Sequence, residues 1–595
     1  MKRGKLKQHI LYFLLIFVLI TTSACHSTKQ AANQRTDTSK EDPKIQEEFD
    51  AFLNDIFISE VKQDSITLNY TLANPANYGV TDAPVTFGEY GTDAVKEGYA
   101  LSENYLKRLN DFDYNALSQA QKQTYTILKS ELELDQSAKD IYLYGEALSP
   151  TVGLQAQLPV LLAEYNFYTK EDIKTYLKLL PDMERYFNQI LSYEQEKSKA
   201  GLFMSDTTVD EIIDQCKDFV KDPENNYLIE VFNDRIDDYE GLTDAEKNSF
   251  KKENKDAIIN HVIPAYQTLM AGLKKLKGTG TNENGLCNYE KGTEYYKYLV
   301  AASTGSDKSI EDLEKALDTA ITGCMMKMAT LSSKNSNLAD EFYNMKFSKT
   351  EPKDILSYLQ EAVRNDFPDL KENVNCNIKE VHKSLQDHLS PAFYLTPALD
   401  KVDDNNIYIN KNDNYDKNTI FTTIAHEGYP GHLYQNVYFN QQNPQPIRAL
   451  LNFSGYSEGW ATYCEMYSYS ISGLDSDLAE FCMKNTVATL CMYAKVDIGV
   501  NYKGWTLEDT KKYLETFGVT DEDAMKQVHQ AMVDEPANYL KYTIGYLEFM
   551  ELREKAEKEL GDKFNQKNFH QFLLDMGPCQ FYVLDEYLDD WIAEQ

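Results

Sequence analysis

Apolar residues recur every three or four positions through most of the chain from residue 47 to about residue 361, with charged residues between them. That period is the repeat of one helix face, so the pattern predicts a mainly α protein. Clear examples are residues 173–190, interrupted at Pro181, and residues 310–328, which follow a Gly-Ser-Asp stop signal. Residues 278–285 are rich in glycine, threonine and asparagine and have no period, which predicts a surface loop.

The pattern changes near Pro391, where two short runs read as β-strands. Residues 392–395 (Ala-Phe-Tyr-Leu) and residues 406–410 (Asn-Ile-Tyr-Ile-Asn) are separated by a turn-prone Asp-Asp-Asn segment. A helix is predicted to follow, with Asn418 as its N-cap, and this helix carries His426. The sequence therefore predicts a small β-sheet next to a helix that bears histidine.

The length of the chain predicts more than one compact unit. A chain of 595 residues exceeds what one hydrophobic core usually holds, so we expect two lobes. We assign residues 46–385 to a largely helical lobe and residues 386–595 to a second lobe that carries the candidate chemistry.

The N-terminus has the pattern of an export signal. A basic start precedes an apolar run over residues 10–20 that is too short to span a bilayer. The segment Thr-Ser-Ala before Cys25 resembles a bacterial lipoprotein cleavage site, with Thr22 where leucine is usual. We therefore predict a signal peptide over residues 1–24, a lipid on Cys25 and a flexible polar tether over residues 25–45. The expected location is the outer face of the bacterial cytoplasmic membrane; the alternative is an ordinary secreted protein cut nearby.

Charge and cysteine content exclude several functions. A net charge of -34 argues against binding to nucleic acid and against electrostatic attachment to anionic lipid. The cysteines other than Cys25 are scattered and show no C-x-x-C spacing, so they predict neither a disulfide framework nor a cysteine metal site. The sequence does not indicate an oligomeric state.

Two histidines six residues apart, His426 and His432, form the first candidate metal motif, with Glu427 directly after the first. Histidines four apart share a helix face and can reach one metal. Six residues correspond to a rotation of about 600° around a regular helix, so the second histidine would point roughly 120° away from the direction of the first. Pro430 and Gly431 lie between the histidines, so we predict a break in the helix that redirects His432 toward His426.

Two carboxylates further along complete the candidate site. Glu458 follows His432 by 26 residues, and Glu465 lies seven residues later on nearly the same helical face. Two histidines and a glutamate are the ligand set of a catalytic zinc ion, and we predict one Zn²⁺ per chain. Glu427 would then be the general base, and Glu465 would orient a ligand histidine. The competing interpretation is a set of polar residues at helix ends.

The motif H-E-G-Y-P-G-H at residues 426–432, followed by E-G-W-A at 458–461, resembles the bacterial family of domain of unknown function 885. The resemblance extends to G-T-E-Y-Y at 292–296 and Y-T-I-G at 542–545. The chain is also more distantly similar to helical gluzincin peptidases such as thimet oligopeptidase, angiotensin-converting enzyme and carboxypeptidase Taq, although the spacing of its histidines departs from theirs. The resemblance implies a two-lobed helical molecule with a deep channel and zinc on His426, His432 and Glu458.

The C-terminal helix offers residues for the transition state and the substrate. The segment ending at Tyr542 resembles a segment of angiotensin-converting enzyme, which implies that Tyr542 donates to the oxyanion and Tyr539 holds a substrate carboxylate. His570 is a further candidate donor, and Arg553 and Tyr408 are candidate substrate-binding residues. The alternative for the tyrosines is packing, and for the arginine a surface ion pair.

These features together predict an extracytoplasmic zinc metallopeptidase. Its expected substrates are peptides, with oligopeptides favoured by the channel that the resemblance implies, and its expected membrane contact is the lipid on Cys25. Two alternatives remain: a peptide- or solute-binding lipoprotein without turnover, and a zinc hydrolase of a non-peptide amide or ester.

Overall fold

The computed structural model describes residues 41–595 except 384–385, 387–388 and 413–418. The predicted signal peptide, Cys25, most of the tether and the N-cap at Asn418 lie outside these residues. The first helix begins at Pro43, two positions before the predicted end of the tether, and the Asp42 side chain caps it by accepting from the Lys44 amide.

Helices make up almost all of the regular structure before the sheet, which confirms the mainly α prediction. They are α1 (Pro43–Val61), α2 (Ser65–Thr71), α3 (Thr92–Asn110), α4 (Gln119–Gln136), α5 (Leu154–Ala163), α6 (Lys170–Leu179), α7 (Met183–Ala200), α8 (Asp206–Phe219), α9 (Tyr227–Asp238), α10 (Asp244–Ala257), α11 (Ile263–Leu276), α12 (Gly292–Thr304), α13 (Ile310–Lys334), α14 (Leu338–Tyr343) and α15 (Pro352–Ala362). Pro181 falls in the short 3₁₀ turn between α6 and α7, and residues 278–285 contain neither helix nor strand, both as predicted.

A three-stranded sheet follows, in the order β1-β3-β2. Its strands are β1 (Asn375–Glu380), β2 (Ala392–Leu395) and β3 (Asp404–Ile409). β1 is parallel to β3, and β2 is antiparallel to β3 with Phe393 opposite Tyr408. The small sheet is confirmed, and β1 was not predicted. In the described part of the chain β2 pairs with β3 alone, and no strand lies along its other edge.

The remaining helices surround the candidate site. They are α16 (Ile420–Glu427), α17 (His432–Asn440), α18 (Ser454–Ser470), α19 (Ser476–Asn501), α20 (Leu507–Glu515), α21 (Glu522–Asp534), α22 (Leu540–Leu560), α23 (Gln566–Met576) and α24 (Phe581–Glu594). The long helices α18 and α22 pack against each other, and α13 packs along α19.

Two large hydrophobic cores hold these elements. One core is built from α2, α5 to α11 and a few residues around the sheet, and it includes Tyr266 and Phe232. The other is built mainly from α12 to α19 and α22 to α24, and it includes Trp460 and Phe549. Residues 292–363 pack in this second core together with the histidine-bearing helices, so the predicted boundary at residue 385 does not coincide with a boundary between cores.

Glu535, between α21 and α22, connects the C-terminal helices to the first core. Its carboxylate accepts hydrogen bonds from the Ser149 hydroxyl at 3.2 Å and from the Thr151 and Val152 amides at 2.9 and 3.0 Å. The turn over residues 149–152 leads into α5, which belongs to the first core. A C-terminal residue therefore fixes the start of an N-terminal helix.

The described part of the chain contains neither a cross-link nor a membrane span. Its cysteines are all free thiols, and Cys216, Cys464 and Cys579 are among those buried. No helix between residues 41 and 595 that the structure describes is both long and apolar enough to cross a bilayer.

Candidate metal centre

His426 and His432 lie on two helices that meet at a sharp turn. α16 ends at Glu427, directly after the first histidine, and α17 begins at the second. The turn contains a cis peptide bond between Tyr429 and Pro430, and the Gly431 amide donates to the Ala425 carbonyl at 3.0 Å. The helix break predicted from Pro430 and Gly431 is therefore present.

Gly431 is required because the turn folds back on α16. A Cβ at this position would lie 1.8 Å from the carbonyl oxygen of His426, closer than any real contact. The Gly431 φ is -75°, so the constraint is lack of space rather than an unusual φ. The histidine spacing of six is thus compatible with one metal because a glycine allows the chain to return on itself.

Helix α18 holds the same turn from the other side. The Trp460 indole N–H donates to the Pro430 carbonyl at 2.9 Å, and the Cys464 thiol donates to it at 3.4 Å. Trp460 is fully buried. Glu458 precedes it by two residues, so the contact that fixes the turn also sets the position of Glu458 relative to the histidines.

The three predicted ligands converge. The Oε2 atom of Glu458 lies 3.5 Å from Nε2 of His426 and 3.4 Å from Nε2 of His432. One ligand atom from each of the three residues lies within 4.8 Å of the others. Two donor atoms about 2.0–2.1 Å from a zinc ion at the tetrahedral angle lie about 3.3 Å apart. The spacing therefore fits a zinc ion.

The same atoms are buried without hydrogen bonds. Among the described residues, Nε2 of His426, Nε2 of His432 and both carboxylate oxygens of Glu458 have no hydrogen-bond partner. Buried polar atoms left in this way are unfavourable unless something else satisfies them, and a metal ion would do so. Burial disfavours ionisation of Glu458, but the two neighbouring histidines outweigh it and hold the pKa of Glu458 well below its usual value.

Glu465 contacts the far side of a ligand histidine, as predicted from its spacing. Its Oε2 lies 3.2 Å from Nδ1 of His426. A carboxylate on the second ring nitrogen fixes the tautomer that leaves Nε2 free for a metal. Glu465 therefore has the geometry of a residue that orients His426.

Glu427 is not among the converging ligands and is held by the sheet. One of its carboxylate oxygens accepts a 2.9 Å hydrogen bond from the Tyr394 amide on β2. The side chain is 2% exposed. Burial raises the pKa of Glu427, and the positive charges of the two histidines partly oppose that rise. This is a carboxylate in a fixed orientation next to the centre, as a general base requires.

Tyr542 reaches the centre because α22 crosses α18 at glycines. A Cβ on Gly459 would lie 2.4 Å from the carbonyl carbon of Gly545, so the two backbones touch. The ring of Tyr542 lies 6.5 Å from the ring of His426, centre to centre. Burial and then the carboxylates of Glu458 and Glu427 raise the pKa of the Tyr542 phenol well above its usual value. The hydroxyl is therefore a neutral donor beside both carboxylates.

The structure places His570 and Arg553 in a different hydrogen-bond network. His570 is fully buried; its Nε2 lies 2.9 Å from the Tyr463 hydroxyl and its Nδ1 lies 2.6 Å from the Asp366 carbonyl. Arg553 donates to the same hydroxyl at 2.9 Å and pairs with Glu557 at 2.8 Å. Burial lowers the pKa of His570 to about 3. Both residues stabilise the packing of α18, α22 and α23. Among the described residues, neither forms a hydrogen bond or an ion pair with the three candidate ligands.

Tyr539 and Tyr408 each pack against another aromatic ring. Tyr539 precedes α22 and packs at 6.0 Å against the ring of Tyr493. The Tyr408 ring stacks on Phe393 at 4.9 Å, and its hydroxyl donates to Glu164 at 3.0 Å. Tyr408, on β3, therefore packs against its cross-strand neighbour on β2, and the substrate-binding roles of both tyrosines stay predictions.

A cavity of about 360 Å³ adjoins the centre at His432. Its walls come from both large cores: α2 and α5 on one side, α17 and the segment after it on the other, with β2 between them. Gln435 and Arg448 line it. Neither residue was predicted from the sequence to be part of the site. The first is three residues after His432 and could have been found by helical spacing, whereas the second has no local pattern that distinguishes it.

Comparison with known proteins gives a family and a fold. Residues 77–588 match the family described as bacterial protein of unknown function (DUF885). A solved structure described as a "putative lipoprotein" from Colwellia psychrerythraea is 20% identical, with a TM-score of 0.81 over 93% of this chain and 100% of that one. A second, from Shewanella oneidensis and described as a "putative lipoprotein of unknown function", is 16% identical, with a TM-score of 0.62 over 91% and 99%.

At these identities the solved structures establish the fold alone. No curated protein matches the sequence. The match over residues 77–588 covers most of the 595 residues and includes every member of the converging centre. The chain therefore belongs to the DUF885 family of bacterial proteins.

Proposed function

We propose that this protein is an extracytoplasmic zinc metallopeptidase that hydrolyses peptide bonds of oligopeptides, with one zinc ion on His426, His432 and Glu458. The observation that carries the proposal is the convergence of three buried side chains whose ligand atoms lack hydrogen-bond partners among the described residues. Glu427 and Tyr542 flank them. When bound, zinc supplies a Lewis acid that polarises a carbonyl and makes water acidic.

Glu427 moves the protons in the proposed reaction. Its carboxylate takes a proton from the attacking water and delivers it to the nitrogen of the leaving amine. The hydrogen bond from the Tyr394 amide holds the carboxylate in place. Because burial raises its pKa, the protonated form that must exist between the two transfers is less unfavourable than for an exposed glutamate.

Tyr542 stabilises the oxygen on which charge develops. The attack turns the peptide carbonyl oxygen into an oxyanion, and a donor aimed at that oxygen lowers the barrier. The hydroxyl lies in the same buried space as Glu427 and Glu458, and it keeps its proton because burial and these carboxylates raise its pKa. Of the two candidate donors, the structure favours Tyr542 over His570, whose ring nitrogens are both engaged elsewhere.

The edge of β2 that no strand of the described chain pairs with is the proposed guide for the substrate backbone. An extended peptide can add to an open strand through main-chain hydrogen bonds. β2 also carries the amide that positions Glu427, and residues of β2 line the adjoining cavity. A peptide aligned on β2 would thus place its carbonyl near the centre, as in the gluzincin peptidases that the sequence resembles.

The proposed location is the outer face of the cytoplasmic membrane. The sequence before residue 41 supports a lipid on Cys25, and the two similar structures are described as lipoproteins. A peptide- or solute-binding lipoprotein remains the alternative function. Glu427 distinguishes the two, because a binder has no use for a carboxylate that sits beside the ligands without joining them.

The test combines metal analysis with digestion of a peptide library. We expect about one zinc per chain in the wild type and in Glu427→Gln, and cleavage by the wild type alone. The matched control is Glu361→Gln, an exposed glutamate with side-chain exposure of 68%, which should cleave normally. A zinc-loaded wild type that cleaves no peptide would overturn the peptidase proposal, and unchanged zinc content in His432→Ala would overturn the ligand assignment.

A further inference from the structure

Arg448 is a buried cation without a carboxylate partner in the described chain. It is 7% exposed and lies on the wall of the cavity next to His432. Its Nη2 donates to the Met576 and Pro578 carbonyls, each at 2.9 Å, at the C-terminal end of α23. Its Nε has no hydrogen-bond partner among the described residues. The carbonyl groups at the helix end compensate part of the positive charge, but the Nε–H donor of the guanidinium stays unused.

Gln435 also lines this cavity and has a second buried donor without a partner among the described residues. It lies on α17 one turn after His432, so both side chains leave the helix on neighbouring faces. It is 4% exposed, and its Nε2 has no hydrogen-bond partner within the described part of the chain. A buried amide donor without a partner costs stability because it has lost its hydrogen bonds to water, although it costs less than an unpaired buried charge. Two such donors on one cavity wall indicate a ligand that accepts hydrogen bonds.

The acidic residue on the cavity wall does not neutralise Arg448. Glu164, at the end of α5, accepts the Tyr408 hydroxyl, and no ion pair joins it to Arg448 among the described residues. Gln445 also lines the cavity, with an unused acceptor. Arg448, which also lies 5.1 Å over the ring of Phe439, therefore keeps a charge on the cavity wall that no carboxylate of the described chain neutralises.

We propose that Arg448 and Gln435 form a subsite for a substrate carboxylate, in the cavity next to His432. This inference rests on the proposed peptidase function and narrows its substrates to peptides that place a carboxylate there. A carboxylate accepts from a guanidinium and an amide at once, and a hydrogen bond to a charged group is about twice as strong as a neutral one. Because the net charge of -34 repels an anionic peptide, a cation on the cavity wall would favour its binding.

Two sources can supply the carboxylate: the C-terminus of the peptide or an Asp or Glu side chain. Three sets of N-acetylated hexapeptides separate them, namely free acids without Asp or Glu, the same peptides as C-terminal amides, and amides that contain one Glu. Binding is measured by calorimetry to the Glu427→Gln protein loaded with zinc, which does not depend on turnover. We expect one carboxylate set to bind about ten- to a hundredfold more tightly than the plain amides. Equal binding of all three sets would overturn the subsite.

Two variants assign the effect to the residues. Arg448→Gln and Gln435→Glu should each raise KM for the favoured set about tenfold or more, with little change in kcat and with unchanged KM for the plain amides. Gln435→Glu keeps the hydrogen bonds of Arg448 to α23, so it remains informative if Arg448→Gln folds poorly. The matched control is Arg108→Gln, a surface arginine paired with Asp55, which should change neither constant.

The failures of the two proposals are distinguishable. If the wild type cleaves peptides but the variants treat acids and amides alike, the subsite is wrong and the peptidase stands. If no peptide is cleaved while the Glu427→Gln protein still prefers a carboxylate, the subsite stands and the peptidase is wrong.

Discussion

At the scale of single residues, the candidate centre separates groups that would bind the ion from groups that would act on the substrate. His426, His432 and Glu458 contribute atoms that point at one another, whereas Glu427 points toward β2. Glu465 touches only the back of His426 in this group. Substitutions at these positions should therefore affect zinc affinity and turnover separately.

Glu465→Gln should weaken zinc binding without abolishing it. Loss of a carboxylate that orients a ligand histidine typically costs 10- to 100-fold in metal affinity, and we expect a drop of about that size. Competition with a chromogenic chelator measures it. Glu427→Gln is the internal comparison, since that carboxylate lies outside the ligand set and its loss should leave zinc affinity within a few fold. Equal affinities in wild type and Glu465→Gln would contradict the orienting role.

Tyr542→Phe should reduce kcat about 10²- to 10³-fold, because it removes a donor that acts on the developing oxyanion. KM and zinc content should stay close to the wild-type values. Tyr546→Phe is the matched control: that tyrosine is one turn further along α22, is similarly buried, and faces Tyr463 and Arg553 instead of the ligands. If both variants lose activity equally, the tyrosine contributes packing and not a hydrogen bond to the oxyanion.

At the scale of elements, the position of the centre depends on two close approaches of backbone. Gly431 lets α17 fold back on α16, and Gly459 lets α22 touch α18. The first was predicted from the sequence, since proline and glycine between two histidines point to a local break. The second was not, because contact between two helices far apart in sequence leaves no pattern on either of them.

Gly459→Ala should destabilise the fold by about 1–3 kcal/mol and lower turnover, because the added methyl group would push Tyr542 away with its helix. Chemical unfolding measures the first effect and kcat the second. The control is Gly323→Ala on α13, where an added Cβ meets nothing within 4 Å and should stabilise by up to about 1 kcal/mol. A Gly459→Ala protein as stable and active as the wild type would contradict the close packing.

The sheet shows where periodicity is a weak guide. β2 and β3 were predicted because β2 is apolar and β3 alternates between polar and apolar residues. β1 reads Asn-Cys-Asn-Ile-Lys-Glu and has no buried face that a sequence pattern could reveal. Its pairing with β3 is set by tertiary contacts rather than by composition. Likewise, Arg448 became a candidate only when the cavity placed it near His432, since one arginine in a short 3₁₀ helix carries no local signal.

At the scale of the whole molecule, buried carboxylates between helices should make stability depend on pH. Asp534 lies near α8, where it accepts the Thr208 hydroxyl at 2.5 Å, and burial raises its pKa to about 7 from an ordinary value of 3.8. The folded state therefore keeps a proton that the unfolded state releases, and stability falls as pH rises from about 4 to 7. The slope from this group is at most about 1.4 kcal/mol per pH unit.

Asp534→Asn should remove this contribution, since the amide oxygen can still accept from Thr208 and nothing ionises. The stability of the variant relative to wild type should therefore increase between pH 5 and pH 8, as measured by unfolding in denaturant at each pH. Asp140→Asn, at an exposed position, serves as the control and should show no such trend. A constant difference between the Asp534 variant and wild type across this range would contradict the buried, protonated carboxylate.

The cavity next to His432 has one wall from each large core, and the metal ligands belong to only one of those cores. Glu535 ties the two together at the turn before α5. Under the proposed function, the segments that would determine which peptides fit are therefore partly separate from those that would perform the chemistry. Evolution could change the residues of α2 and α5 without disturbing the centre, so we expect relatives that share the histidines and glutamates but differ in these helices to differ in the ligands that their cavities accept.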